Sequence, residues 1–225
     1  MFDLGTSFIA SVKRDPFSIA ISYKKKSLSY TDWFKLISNL SGSLLKLGMK
    51  KDDKILTILQ NNFQACTLYW ACQIVGITIV PVNWRVKAKE IDFFLKDSEA
   101  KSIVYEEFSS EDVKLSEFAK NLIKISVNSK IEDCINFDEL LLNFHEVDYS
   151  YSLPQDISLI LYTSGTTGNP KGVPRTHLAE RTSAIAHVAQ NHYEKNESTL
   201  GVMPLYHTMG VTSLISMSLI NGRFV

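Results

Sequence analysis

Four hydroxyl side chains, three glycines and one lysine fall within Thr163-Ser164-Gly165-Thr166-Thr167-Gly168-Asn169-Pro170-Lys171-Gly172. Glycine lets backbone N–H groups approach an anion closely, serine and threonine add donors, and Lys171 supplies a point charge. By composition this is a cradle for phosphate. A solvated Gly/Thr-rich turn has the same composition. The apolar run Ile157 to Tyr162 before it, the helical pattern after it and Lys171 all favour phosphate. A Walker A loop does not fit, since that motif needs four residues between its glycines and then Lys-Ser/Thr. Here Pro170 stands five positions after Gly165, and Gly172 follows Lys171.

Other chemistry-bearing residues are sparse. His207, in Met203-Pro204-Leu205-Tyr206-His207-Thr208-Met209-Gly210, is a candidate; alone, a histidine is not diagnostic. His145, His177, His187 and His192 read as surface or packing residues. His187 and His192 are five apart, off the i,i+4 register of a metal pair on a helix, so no zinc site is expected. Cys66, Cys72 and Cys134 form no CxxC pair and read as free thiols of a reducing compartment. Trp33, Trp70 and Trp84 read as core, and Arg85 as structural.

The elements that must position these groups follow from periodicity. Ser7, Phe8, Ile9 and Val12 predict a short helix before Pro16. Residues 19–23 and 27–30 predict a hairpin around Lys24-Lys25-Lys26. Thr31 is the expected N-cap of a helix with Trp33, Ile37, Leu40, Leu44 and Leu47 on one stripe, stopped by Gly48. Strands are then expected at 54–59, 77–82, 102–105, 122–127 and 157–162. Helices are expected at 62–75, 88–95, 113–121, 137–144 and 176–191. Beyond them come a strand at 200–203 and a helix at 209–220, with Arg223-Phe224-Val225 opening a further strand. Strands alternating with helices imply crossovers and a buried, mostly parallel sheet, so the fold class is α/β. The chain reads as residues 1–150, an α/β region with its connector, followed by 151–225, the start of the region bearing the phosphate loop.

Bulk properties narrow the function. Apolar residues make up 45% and charged residues 21% of the 225, a globular composition. Formal net charge is zero, which argues against nucleic acid as a partner. The stretch Ile55 to Trp84 carries no charge, yet Gln60, Asn61, Asn62, Gln64, Gln73, Gly76 and Pro81 interrupt it, so strand–helix–strand is expected instead of a membrane span. With no basic-then-apolar leader in residues 1–16, the expected location is the cytoplasm, with peripheral membrane contact left open.

The run Tyr162 to Gly172 resembles the signature loop of the adenylate-forming (AMP-binding) superfamily, and Met203 to Gly210 resembles the segment beside its acyl pocket in acyl- and aryl-CoA ligases. Leu28-Ser29-Tyr30, Gly48 to Gln60 and Pro81-Val82-Asn83-Trp84-Arg85 resemble its N-terminal region. The resemblance implies AMP-forming activation of a carboxylic acid by ATP, then transfer of the acyl group to coenzyme A, with a fatty acid as the favoured substrate. It implies that Thr163, Ser164, Gly165, Thr166, Thr167, Gly168 and Lys171 hold the β- and γ-phosphates. It further implies that Thr166 lies beside Mg²⁺, and that His207 lies beside the carboxylate and α-phosphate. The family's adenine segment, magnesium-binding Glu, ribose-binding Asp, C-terminal lysine and rotating C-terminal domain would lie beyond Val225. An incomplete N-terminal domain without turnover of its own is therefore expected. Two other readings stay open: an aryl- or amino-acid activator loading a carrier protein, with Pro174-Arg175-Thr176-His177 supporting the aryl version, and a non-catalytic truncated relative.

Overall fold

The structure, a computed structural model, describes residues 3–142, 152–163 and 170–225. Helix α1 (Leu4–Arg14) is started by Asp3, whose carboxylate accepts the Thr6 N–H at 2.9 Å, and it buries Leu4, Phe8 and Val12. Strands β1 (Ile19–Tyr23) and β2 (Lys26–Ser29) form the expected hairpin, with the turn one residue tighter. Helix α2 (Tyr30–Lys46) begins earlier than predicted. Its N-cap is Ser29, not Thr31: the Ser29 hydroxyl accepts the Asp32 N–H at 3.1 Å. Tyr30 is already helical and buried, its hydroxyl donating to the Gly222 carbonyl at 2.9 Å, which draws the first turn into the core. Gly48, at φ 93°, lets the chain leave the helix in the left-handed region.

The uncharged stretch forms β3 (Lys54–Ile58), α3 (Phe63–Val75) and β4 (Thr78–Pro81), as expected. Asn62 caps α3 and Gly76 ends it at φ 72°. Helix α3 needs no charged face because α1, α2, β4 and β1 pack around it and leave nearly all of it buried. Trp70 stacks on Phe8 with centroids 4.5 Å apart, and the Trp33 indole donates to Thr67 Oγ1 at 3.0 Å. Cys66 and Cys72 are buried here, and burial pushes the Cys66 thiol up to about 12.

After α4 (Ala88–Ser98) and β5 (Ser102–Glu106), α5 covers only Ser110–Leu115, short of the predicted 113–121. Ser116 turns extended and Asp92 accepts both the Ser116 hydroxyl and the Phe118 N–H, so the chain is held out of the helix. Strands β6 (Ile123–Val127) and β7 (Ile135–Asn136) precede α6 (Phe137–Leu142). Strand β8 (Ile157–Thr163) is followed by a strand that periodicity did not suggest, β9 (Lys171–Thr176), before α7 (His177–Gln190). Next come β10 (Ser198–Thr199), α8 (Thr208–Leu219) and β11 (Arg223–Phe224). The strand expected at 200–203 is not formed. β10 pairs with β11 for two residues, the Gly201 N–H still donates to the Val225 carbonyl at 2.7 Å, and beyond it Asn61 takes the carbonyls of Gly201 and Met203.

Among the described residues one sheet runs β7-β6-β5-β3-β4-β8-β9, parallel except for the antiparallel β9, and a second runs β10-β11-β1-β2. Layered, mostly parallel sheets flanked by helices are the predicted α/β class. Strand β8 lies beside β4 although some 75 residues separate them, so both sequence regions contribute to one sheet. Trp84 is a correction: it is half-buried, its indole under the Arg85 guanidinium at 3.9 Å and edge-on to Phe108 at 5.1 Å. No helix among the described residues is long and apolar enough to cross a membrane.

Candidate functional site

The glycine- and threonine-rich run joins two strands. β8 and β9 pair from Ile157↔Thr176 to Thr163↔Lys171, so Thr163 and Lys171 face each other where the ladder ends. Both are exposed, and Lys171 makes no ion pair among the described residues. Ser164, Gly165, Thr166, Thr167 and Gly168 lie outside the described residues. The ladder itself is firmly seated. The Tyr162 hydroxyl donates to Asp97 at 2.7 Å and its ring packs on Phe94 with centroids 4.6 Å apart. Burial, aided by Asp97, raises the phenol's pKa, so it stays a donor. Across the ladder, a Cβ on Gly172 would sit 3.2 Å from the Tyr162 ring and from Ile160 Cγ2. Glycine there permits close packing of the two strands.

His207 lies on a separate element. It is exposed and stands at the N-cap of α8, its ring 4.8 Å from that of Tyr206. The turn before it is clamped by Asn61, just past the end of β3. The Asn61 amide donates to the carbonyls of Gly201 and Met203, each at 2.7 Å, and accepts the Leu205 N–H at 3.0 Å. Gly210 completes the turn, since a Cβ there would meet the Pro204 carbonyl at 2.3 Å. Leu205 and Tyr206 close a small apolar cavity against Leu68, Tyr69 and Pro81.

The two parts are joined by residues that sequence reasoning did not assign. Arg175, near the end of β9, is hydrogen-bonded through Nε to Glu180 of α7 and through Nη1 to Thr208 Oγ1 of α8, the latter at 3.4 Å. Glu180 is fully buried, and its second oxygen has no partner among the described residues. Burial pushes its carboxyl upward and Arg175 opposes the shift. The Tyr69 hydroxyl is likewise buried without a partner there, raised first by burial and then by Glu180. The strand that begins with Lys171 is therefore tied, through Arg175, to the residue following His207. One signal was available in the sequence: His177, Glu180 and Ala184 form a helical stripe, and a carboxylate on a buried stripe needs a cation.

Of the remaining histidines, His177 and His187 pack. His177 is buried, its Nδ1 accepting the Leu4 N–H at 3.3 Å, and burial lowers its pKa. His187 Nδ1 lies 3.1 Å from Ser216 Oγ, linking α7 to α8. His192 is exposed, and His145 lies outside the described residues.

Lys171, which makes no ion pair among the described residues, thus opens a strand that Arg175 ties to the clamped turn carrying His207. The model of the AMP-binding enzyme family matches residues 8–225. The chain belongs to the AMP-binding enzyme family. Its similarity extends to YdaB of Bacillus subtilis (strain 168), whose acyl–CoA ligase name is provisional, at 28% identity over 92% of this chain and 42% of that protein. It is 26% identical to the long-chain-fatty-acid–CoA ligase FadD13 of Mycobacterium tuberculosis (strain H37Rv), over 84% of this chain and 37% of that protein. The AMP-binding fold is seen in the inhibitor-bound N-terminal domain of FACL13 from Mycobacterium tuberculosis, with TM-score 0.89, 22% identity, and coverage of 100% of this chain and 57% of that one. It is also seen in the o-succinylbenzoate coenzyme A synthetase MenE of Bacillus subtilis in complex with ATP and magnesium, with TM-score 0.83, 22% identity, and coverage of 97% and 56%. This AMP-binding chain spans about two fifths of the length of the curated relatives it matches.

Proposed function

We propose that this chain serves an ATP-dependent, AMP-forming acid–thiol ligase, which activates a carboxylic acid as its adenylate and passes the acyl group to coenzyme A. The observation that carries the proposal is the β8–β9 ladder, whose intervening Ser/Thr/Gly run ends on Lys171, exposed and without an ion pair among the described residues. A carboxylate is already ionised at pH 7, so the first half-reaction needs positioning and charge neutralisation, with little demand for a general base. Thr163, Ser164, Gly165, Thr166, Thr167 and Gly168 hold the β- and γ-phosphates with Lys171 in this reading. Lys171 neutralises charge as pyrophosphate leaves. His207 lies beside the carboxylate and α-phosphate. Thr166 is the residue that would stand next to Mg²⁺, which would supply further positive charge to the pyrophosphate.

Within this AMP-binding domain, 1–150 forms the scaffold and 151–225 opens the phosphate-loop region. A fatty acid is the favoured acid and the cytoplasm the favoured location. The resemblance of Pro174 to His177 to aryl-acid activators carries less weight once Arg175 is engaged by Glu180 and Thr208. The test is acid-dependent exchange of pyrophosphate into ATP by the complete gene product. Lys171→Ala is expected to lower exchange by roughly 10²-fold or more, as loss of one transition-state charge partner does. Unchanged nucleotide binding and exchange after residues 164–168 are all replaced by alanine would sink the proposal.

A further inference from the structure

Away from the hairpin and α8, a cavity of about 700 Å³ opens between the β1–β2 hairpin and helices α2, α3 and α6. Its walls are apolar: Ile21 and Leu28 from the hairpin, Leu36 from α2, Phe63 from α3 and Leu141 from α6. The size suits a small-molecule site. Its rim is cationic. Lys24, Lys25 and Lys26 line it, all exposed and without an ion pair among the described residues. Asp138 is the carboxylate that also lines it, so among the described lining residues three lysines stand against one aspartate.

The turn that carries these lysines is not one that folding alone would choose. Tyr23 pairs with Lys26, leaving Lys24 and Lys25 as the two turn residues, and Lys24 adopts φ 54°. Such turns favour Asn or Gly, because a side chain in the left-handed region costs roughly 1–2 kcal/mol. Three adjacent ammonium groups also repel one another. The Lys24 Nζ lies 5.2 Å from the Tyr23 ring centroid, which holds one charge above the apolar wall.

We propose that this cavity binds a single amphiphile, an unbranched hydrocarbon chain with an anionic head. The tail lies against Leu28, Leu36 and Phe63, and the head beside Lys24, Lys25 and Lys26. Tail burial gives affinity at about 0.8 kcal/mol per CH₂, while the lysine rim selects the sign of the head group. Its described lining residues include none of Thr163, Lys171 and His207.

Titration calorimetry of the 225-residue chain with monomeric decanoate, decanol and decyltrimethylammonium tests this. Decanoate is expected to bind with one-to-one saturation, and the other two about tenfold or more weakly, equivalent to about 1.4 kcal/mol. The exposed triple variant Lys24→Gln, Lys25→Gln, Lys26→Gln keeps the fold by circular dichroism and loses the same factor. Leu28→Trp fills the cavity and abolishes binding, and Lys171→Ala leaves it unchanged. The proposal is overturned by an absence of saturable decanoate binding, or by binding that the triple variant and Leu28→Trp leave intact. It is equally overturned if Lys171→Ala removes binding, or if anionic phospholipid vesicles bind through the lysines while monomeric decanoate does not.

Discussion

Arg175 of β9 donates to the hydroxyl of Thr208, the first residue of α8, at 3.4 Å, and the same guanidinium is anchored by the buried Glu180. A strand that opens with Lys171 thereby holds the helix whose N-cap is His207.

The ionised Glu180 is poorly solvated, and burial raises its pKa above the ordinary 4.5 despite Arg175. The folded state then retains this proton more strongly than the unfolded chain. The carboxyl's contribution to stability is full below about pH 4.5 and is lost as pH rises through the folded value. Glu180→Gln removes that slope. Urea unfolding at pH 4.5 and pH 7 is expected to show the variant gaining on the wild type at the higher pH. A constant difference would contradict the assignment.

His177 behaves oppositely. Burial lowers its pKa below 6.5, so the folded state binds its proton less tightly than the unfolded chain. Its contribution is present above pH 6.5 and is lost as pH falls through the lowered value. Gln in its place keeps an acceptor for the Leu4 N–H and does not titrate. The melting temperature of His177→Gln is expected to fall less steeply than that of the wild type between pH 6.5 and pH 5.

Gly210→Ala places a Cβ 2.3 Å from the Pro204 carbonyl and 2.6 Å from that of Met203, both backbone atoms. The 203–205 turn must move, at about 1–3 kcal/mol. Denaturant unfolding is expected to show that loss; a variant as stable as wild type would mean the turn is not held as described.

Asn61→Ala removes all three hydrogen bonds to the 201–205 segment. At about 0.5–1.5 kcal/mol each, the turn before His207 loses its anchor to β3. Hydrogen exchange of the Leu205 amide is expected to quicken by roughly tenfold or more, while amides of β3 are unchanged.

Much of the architecture was legible because local signals coincide with element ends. Asn62 and Gly76 bracket α3 as a capping side chain and a left-handed stop. Trp33, Ile37, Leu40 and Leu44 mark the buried stripe of α2. Where two local signals compete, they fail. Ser29 and Thr31 are both capping residues, and Tyr30's burial against the carbonyl of Gly222 decides between them. β9 escaped notice because Lys171-Gly172-Val173-Pro174-Arg175-Thr176 has little apolar periodicity, and its pairing partner β8 defines it.

By itself the sequence determined the α/β class and most element spans, since each depends on spacings within a few turns of chain. Only the tertiary structure decided that β8 lies beside β4, that Asn61 clamps the turn before His207, and that Arg175 joins Glu180 to Thr208. Those pairings connect residues that crossovers and buried charge bring together, and no local periodicity encodes which distant partner a hydrogen-bonding group will meet.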